Sequence, residues 1–467
     1  MRKTIFTSVI AEEKHGCCFP VFNNIGRYGG NKNNLSGMTF TLVLCFLYVL
    51  CGPRNVRAAE VRALTLDQAL EIADGKNHDI RKAKEFFRQV EGKYVEERSA
   101  ALPQLSLNGS VARQQDDSQG AIAGGAFPTR QDVRGVEVDV SQALFTWGKV
   151  GAAISAAEKG FRTADERLRI SRQDTRRDVT TAFYDILLAR EQLAIALQNL
   201  QQKERHREEA TRRYAAGVAT DYDVLAAQVA VENARPEKIR TENLVRAAKD
   251  RLRYLIALED DLEVQGTLET APAPPRSYGE ALEQARKRRP ELEELRRTRE
   301  IYAELVKIDN AADKPRLDLK GGYGWRQLDV GTASGSGSAW SVGLYLSYPF
   351  FDGLKTRGKV AQTESQLRSL EIDEAKLGES ISLEIRDAVN GLGESGEIVT
   401  SLSGTVNQAE RLLAMAEQGY ELGVKIRLEV EDAELNLLQA RGNLARARRD
   451  YLVAGVVLER VMGVLGE

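Results

Sequence analysis

Residues 136–149 read VEVDVSQALFTWGK, and residues 342–355 read VGLYLSYPFFDGLK. Both segments open by alternating. Val136, Val138 and Val140 are interleaved with Glu137, Asp139 and Ser141, and Val342, Leu344 and Leu346 with Gly343, Tyr345 and Ser347. Side chains two apart share one face of a strand, so each segment predicts a strand with one apolar and one polar face. Leu105 and Leu107, then Leu317 and Leu319, open the partner strands. Each strand is expected to run about ten residues, the length of a tilted strand that crosses a bilayer. The intervening GGYGWRQLDVGTASGSGSAW (321–340) is glycine-rich and polar. Tyr323, Trp325, Trp340 and Tyr345 are expected at a membrane interface, where aromatic residues concentrate. The competing reading is a pair of soluble hairpins on a helical stalk.

Working outward, the chain repeats itself. Ala69-Leu70 recurs as Ala281-Leu282, Ile80 as Leu292, and Pro103–Leu107 as Pro315–Leu319, all offset by 212. Val136, Phe145, Lys149, Tyr214, Gly217, Val218, Val224 and Arg235 recur as Val342, Phe351, Lys355, Tyr420, Gly423, Val424, Val430 and Arg441, offset by 206. The offset changes once, in the loops 108–135 and 320–341, of which the first is six residues longer. A constant offset over such spans marks an internal repeat. The expected organisation is a first repeat over 59–269, a linker over 270–276 beginning TAPAPP, and a second repeat over 277–467.

Each repeat predicts very long helices. No proline lies between Pro128 and Pro236, and none follows Pro349. Val179, Phe183, Ile186, Leu193, Leu197 and Leu200 follow three–four spacing, as do Ile381, Ile385, Ala388, Leu392, Val399, Leu402 and Val406. That is a coiled-coil type of seam. A helix from Lys149 to Arg213 would span roughly 100 Å. One chain then supplies four strands. A membrane barrel must close, and the smallest have about eight strands, so the chain must oligomerise with each subunit contributing a stave.

Composition narrows the function. In 467 residues, 66 Lys and Arg face 68 Asp and Glu, a net charge of −2 that argues against a nucleic-acid partner. Charged residues are 29% and aromatics 6% of the chain, a helix-leaning profile. His15, His78 and His206 fall in no metal spacing, and Cys17, Cys18, Cys45 and Cys51 all precede residue 60. No nucleophile elbow, phosphate loop or dinucleotide turn is present, so neither an enzyme nor a bound cofactor is expected. Thr39–Cys51 is an apolar run preceded by Arg27 and Lys32, the pattern of an export signal, with cleavage expected after Ala58. Lipidation at Cys51 is disfavoured by the large Leu50 before it.

Taken together, SQALFTWGK (141–149), SYPFFDGLK (347–355) and the turns YAAGVATDYDVLAAQ (214–228) and YELGVKIRLEVEDAE (420–434) resemble the TolC family of outer-membrane efflux and secretion ducts. The resemblance covers about Leu64 to Gly463. It implies a mixed fold: a long antiparallel coiled-coil helical barrel joined to a twelve-stranded transmembrane β-barrel, built by a homotrimer. It also implies the outer membrane of a Gram-negative bacterium, contact with its lipid, a long periplasmic extension, and docking to an inner-membrane pump or ABC exporter through a periplasmic adaptor. Two departures stand out: Ala143 replaces the proline found at Pro349, and Arg427 and Leu428 stand where the first copy has Asp221 and Tyr222.

The resemblance also implies a gate at the helix turns. Glu429 and Asp432 match the acidic ring of the tunnel constriction, which in three copies would favour cations; both also suit the first turn of a helix. Asp223, Tyr420 and Lys425 match the polar latch that closes the tip, with Lys425 of one hairpin holding Asp223 of a neighbour. Asp223 also fits a capping box with Thr220. Gly217, Val218 and Ala219 with Gly423 and Val424 match the adaptor-docking turns, although glycine there also simply allows a positive φ. A second class of function, a periplasmic coiled-coil adaptor or scaffold, would account for the heptads and the export signal but not for the four alternating strands.

Overall fold

The computed structural model describes residues 62–115, 130–269 and 277–466. The expected signal segment with its cysteines, and the linker at 270–276, lie outside the described residues. In chain order the elements are β1 (Arg62–Leu64), α1 (Leu66–Lys76), α2 (His78–Ser99), β2 (Gln104–Gln115), β3 (Arg130–Phe145), α3 (Lys149–Ala215), α4 (Asp221–Ile256), β4 (Leu262–Val264), α5 (Tyr278–Arg288), α6 (Pro290–Asn310), β5 (Arg316–Val330), β6 (Ala333–Ser347), α7 (Lys355–Glu421) and α8 (Arg427–Val461).

The long helices follow from the absence of breakers. α3 and α7 are each 67 residues, about 100 Å at 1.5 Å per residue. α4 and α8 run back along them. Pro236 does not end α4, which continues to Ile256, although a proline removes one backbone bond and tends to bend a helix. Each return is made by the same turn. Gly217 and Gly423 have φ of 75° and 73°. Val218 N–H donates to the Arg213 carbonyl at 3.0 Å and Val424 N–H to the Gly419 carbonyl at 2.9 Å, while Gly217 and Gly423 donate to Tyr214 and Tyr420. This double bond pattern closes a helix on a left-handed residue, which glycine adopts without a Cβ penalty.

β2, β3, β5 and β6 form one antiparallel sheet in that order. Val138 lies opposite Leu107 on one side and Tyr323 on the other, and Tyr323 lies opposite Trp340. Leu105, Leu107, Val111, Val136, Val138, Val140, Tyr323, Trp325, Trp340, Val342, Leu344 and Leu346 therefore share one face. Glu137, Asp139, Lys320 and Arg326 lie on the other. Trp340, Val342 and Leu346 are 70% or more exposed in the single chain. The strands are 12 to 16 residues long, not ten, because they continue past the apolar rows into charged ends such as Arg113 opposite Asp132. Tyr345 departs from expectation. It pairs with Asp318 on the polar face, with Lys320 Nζ 5.3 Å from its ring centroid, and so lies apart from the apolar row that holds Tyr323, Trp325 and Trp340. A two-stranded parallel sheet, β1 with β4, was not foreseen from the sequence.

Where strand becomes helix, the backbone turns through left-handed residues: Trp147 and Gly148 in the first corner, Gly353 and Leu354 in the second. A side chain is costly in that region. Two such sites at matching positions show that the corner geometry is imposed by the elements on either side. The main core sits partway along α3, where Val179, Phe183, Ile186 and Leu187 meet Leu252 and Ile256 of α4, Ala69 and Ala73 of α1, and Leu262 and Val264 of β4. Ala281, Ala285 and Leu292 make the corresponding cluster with Ile381, Ile385, Leu458 and Met462.

Phe183 is 3% exposed. Phe183→Ala is expected to destabilise the helical part by about 3–5 kcal/mol, the usual cost of truncating a buried phenylalanine. Denaturant unfolding followed by circular dichroism checks this, and a loss below about 0.5 kcal/mol would contradict the packing described.

Candidate functional site

The two hairpin tips lie at the ends of α3 and α7 away from the sheet, and most of the sequence-predicted site residues are there. Thr220 caps α4: its hydroxyl accepts from Asp223 N–H at 3.3 Å, and Asp223 Oδ2 accepts from Thr220 N–H and Oγ1, each at 2.8 Å. These donors hold the Asp223 carboxyl below the usual carboxylate range, the backbone N–H contributing most. Asp223 Oδ2 is therefore engaged within its own helix start.

α8 begins differently. Ile426 occupies the cap position and has no side-chain acceptor, so only half of a capping box forms: Glu429 Oε2 accepts from Ile426 N–H at 3.1 Å. The Glu429 carboxylate also pairs with Lys425 Nζ. Lys425 and then the Ile426 N–H hold the Glu429 carboxyl low. Asp432 is exposed one turn further on. Gly419 is buried beneath Lys425. A Cβ there would come within 2.4 Å of Lys425 Cγ, so the bare backbone is what lets the lysine stem lie across the turn.

Within the chain the expected latch is not assembled. Among the described residues no ion pair joins Lys425 to Asp223. Lys425 is held by Glu429, Asp223 by Thr220, and Tyr420 accepts from Arg213 Nη1 at 2.6 Å. The Arg213–Tyr420 bond ties α3 to α7. Val218 and Val424, next to the turn glycines, are 66% and 77% exposed, so both turns present an apolar side chain outward.

The sequence reading missed a second tie between the hairpins. Glu434 lies in the buried stripe of α8 with Val430, Ala433 and Leu437, and is 8% exposed. Its carboxylate accepts from Lys203 Nζ at 2.9 Å, from His206 Nε2 at 3.0 Å, and from Gln202. His206 Nδ1 lies 3.0 Å from Arg427 Nη2, and Arg427 Nε donates to Glu431 at 2.9 Å. Burial pushes the Glu434 carboxyl up, but the bonds from His206 and Lys203 outweigh it and hold the group below its ordinary value. The sequence signal was a carboxylate at a seam position; its partners, more than 220 residues away, leave no local mark.

Long helical hairpins joined through sharp corners to a four-stranded sheet with one apolar face are the build of an outer-membrane channel chain. One solved structure with this build is the Campylobacter jejuni CmeC outer membrane channel. It superposes with a TM-score of 0.75 over 85% of both chains at 16% identity, a likeness of fold alone. Residues 69–258 and 281–464 match the family described as Outer membrane efflux protein, and the chain belongs to that family. It is accordingly an outer-membrane protein of a family of channels, not enzymes. It is 24% identical over 379 residues to the outer membrane protein TolC of Vibrio cholerae, covering 79% of this chain and 84% of that one. It is 27% identical over 390 residues to the alkaline protease secretion protein AprF of Pseudomonas aeruginosa, covering 79% and 78%.

Glu434→Ala leaves Lys203 and His206 without their common acceptor and is expected to cost about 1–3 kcal/mol at neutral pH. Because the folded-state pKa is depressed, the stabilisation is present above the unfolded value of about 4.3 and is lost as pH falls through the folded one. The gap between wild type and variant should therefore close in acid. A gap independent of pH would contradict the assignment.

Proposed function

We propose that the chain is one third of a passive trimeric duct, the outer-membrane exit channel of a tripartite efflux pump or a type I secretion system. The observation that carries this is the open four-stranded sheet with one apolar face. β2 and β6 are its edges, and an unpaired edge cannot face hydrocarbon, where no water satisfies its N–H and C=O groups. Pairing β2 of one copy with β6 of the next removes every edge, and three copies give twelve strands. The apolar face then meets lipid, and Glu137, Asp139, Lys320 and Arg326 line the lumen. A periplasmic adaptor or scaffold would leave the apolar rows bare, and a contiguous exposed apolar face of that kind calls for a partner surface.

Energy and cargo selection belong to partners in this reading. AprF is named for protease secretion and the family for efflux, so one duct architecture suits both. The exposed Val218 and Val424 beside Gly217 and Gly423 form the docking turns for a periplasmic adaptor that connects to an inner-membrane pump or ABC exporter. Three copies of Glu429 and Asp432 ring the constriction. The latch between neighbouring chains is an exchange of partners, Lys425 leaving Glu429 for Asp223. Both pairings are solvent-exposed and weak, so a docking partner can shift the balance.

Glu429→Gln with Asp432→Asn is expected to lower cation selectivity and weaken block by multivalent cations in planar bilayers. Unchanged selectivity and block would mean that these acids only support the start of α8.

A further inference from the structure

The Glu434 cluster is better built than the tip contacts, and its atoms fix the protonation state of a histidine. Arginine can only donate, so His206 Nδ1, 3.0 Å from Arg427 Nη2, must be the accepting nitrogen. Carboxylate can only accept, so His206 Nε2, 3.0 Å from Glu434 Oε1, carries the proton. The imidazole is thus neutral and bridges two residues of α8 from α3. Lys203 Nζ closes the other oxygen of Glu434 at 2.9 Å. The side chains of Lys203 and His206 are 20% and 21% exposed and that of Glu434 6%, so protons reach the ring while the carboxylate stays shielded.

We propose that Arg427, His206, Glu434 and Lys203 form a proton-responsive clasp that holds the second hairpin's return helix onto the first hairpin and releases its tip in acid. The ring gains one proton at Nδ1, the lone pair that had accepted from Arg427. That bond is lost, and two cations then face each other. The Nε2 bond to Glu434 survives as an ion pair, so the helices stay joined at Glu434 while Arg427, the first residue of α8, swings free. The bond to Arg427 exists while Nδ1 keeps its lone pair and is lost once that nitrogen is protonated. The other charged groups around the ring are Lys203 on α3 itself and Glu431 and Glu434 on α8. Asp223 of α4 is within electrostatic reach of Arg427 and Arg213, and α7 contributes Tyr420, held by Arg213. Glu431, already on Arg427 Nε at 2.9 Å, gives the freed guanidinium a partner within its own helix. Because Arg427 adjoins the turn that carries Lys425 and Glu429, its release loosens the region assigned to the gate; only that consequence rests on the duct reading.

The test is hydrogen exchange of the full chain in detergent, read on peptides spanning 420–430 at about pH 7.5 and about pH 5.5, as protection corrected for intrinsic exchange. In wild type, protection is expected to fall roughly tenfold in acid, the scale of one lost charge-assisted bond. His206→Gln should show no fall, since its amide does not titrate and still offers an acceptor to Arg427. Wild-type protection that does not change, or a fall retained in His206→Gln, would overturn the clasp. Should His206→Gln not fold, Arg427→Gln replaces it: low protection at both pH values supports the clasp, and a retained acid-dependent fall overturns it. Bilayer conductance without pH response alongside an intact exchange effect would count against the tip being the gate and leave the clasp standing.

Discussion

An antiparallel sheet with bare edges cannot stand in hydrocarbon, and the proposed duct is arranged around that constraint. β2 and β6 are bare in the single chain, with Leu107 and Trp340 beside those edges 71% and 75% exposed. A chain that pairs its edges with copies of itself closes a ring, and helices attached to such a ring must continue it. The corners at Trp147-Gly148 and Gly353-Leu354 accept left-handed backbone because strand direction and helix direction are both fixed by the elements on either side.

The helical part divides by energy. Midway along α3 and α7, apolar clusters around Phe183 and Ile381 are fully buried, and Arg460 is pinned between Asp174 at 2.9 Å and Glu291 at 2.6 Å. At about 1.5–3 kcal/mol per buried large side chain, these regions are fixed. Toward the tips the buried clusters shrink to a few, mostly small residues, Ala409 and Ala440 with Leu437 and then Ala416 and Ala433 with Val430, and polar ties take over. Polar side chains there are held by one or two contacts: Lys425 by Glu429, Tyr420 by Arg213, and Arg427 by both His206 and Glu431. Weak, exchangeable contacts at one end of a stiff hairpin allow movement at that end without unfolding the rest.

Much of this was legible in the sequence because its signals are local. Period-two alternation at Val136–Val140 and Val342–Leu346 placed the apolar face, the absence of proline placed α3 and α7, and Gly217 and Gly423 placed the turns. What was missed had either a weak local signal or distant partners. Tyr345 looked interfacial by residue type, but its position in the alternation puts it on the polar face. β1 and β4 are three residues each, too short to show a period. Lys425 and Asp223 were matched by position alone, whereas within the chain each charge meets a partner three or four residues away first. His206 and Glu434 meet only because α8 lies against α3.

The central claim is that β2 of one copy pairs with β6 of the next. It is tested most directly by placing one cysteine on the β2 edge at Ser106 and single cysteines in turn along β6 from Ala339 to Ser347, then oxidising the protein in outer-membrane preparations. The account predicts that one narrow register cross-links efficiently and that the covalent series ends at three chains. Cross-linking confined within single chains, or a series that runs past three, would contradict it.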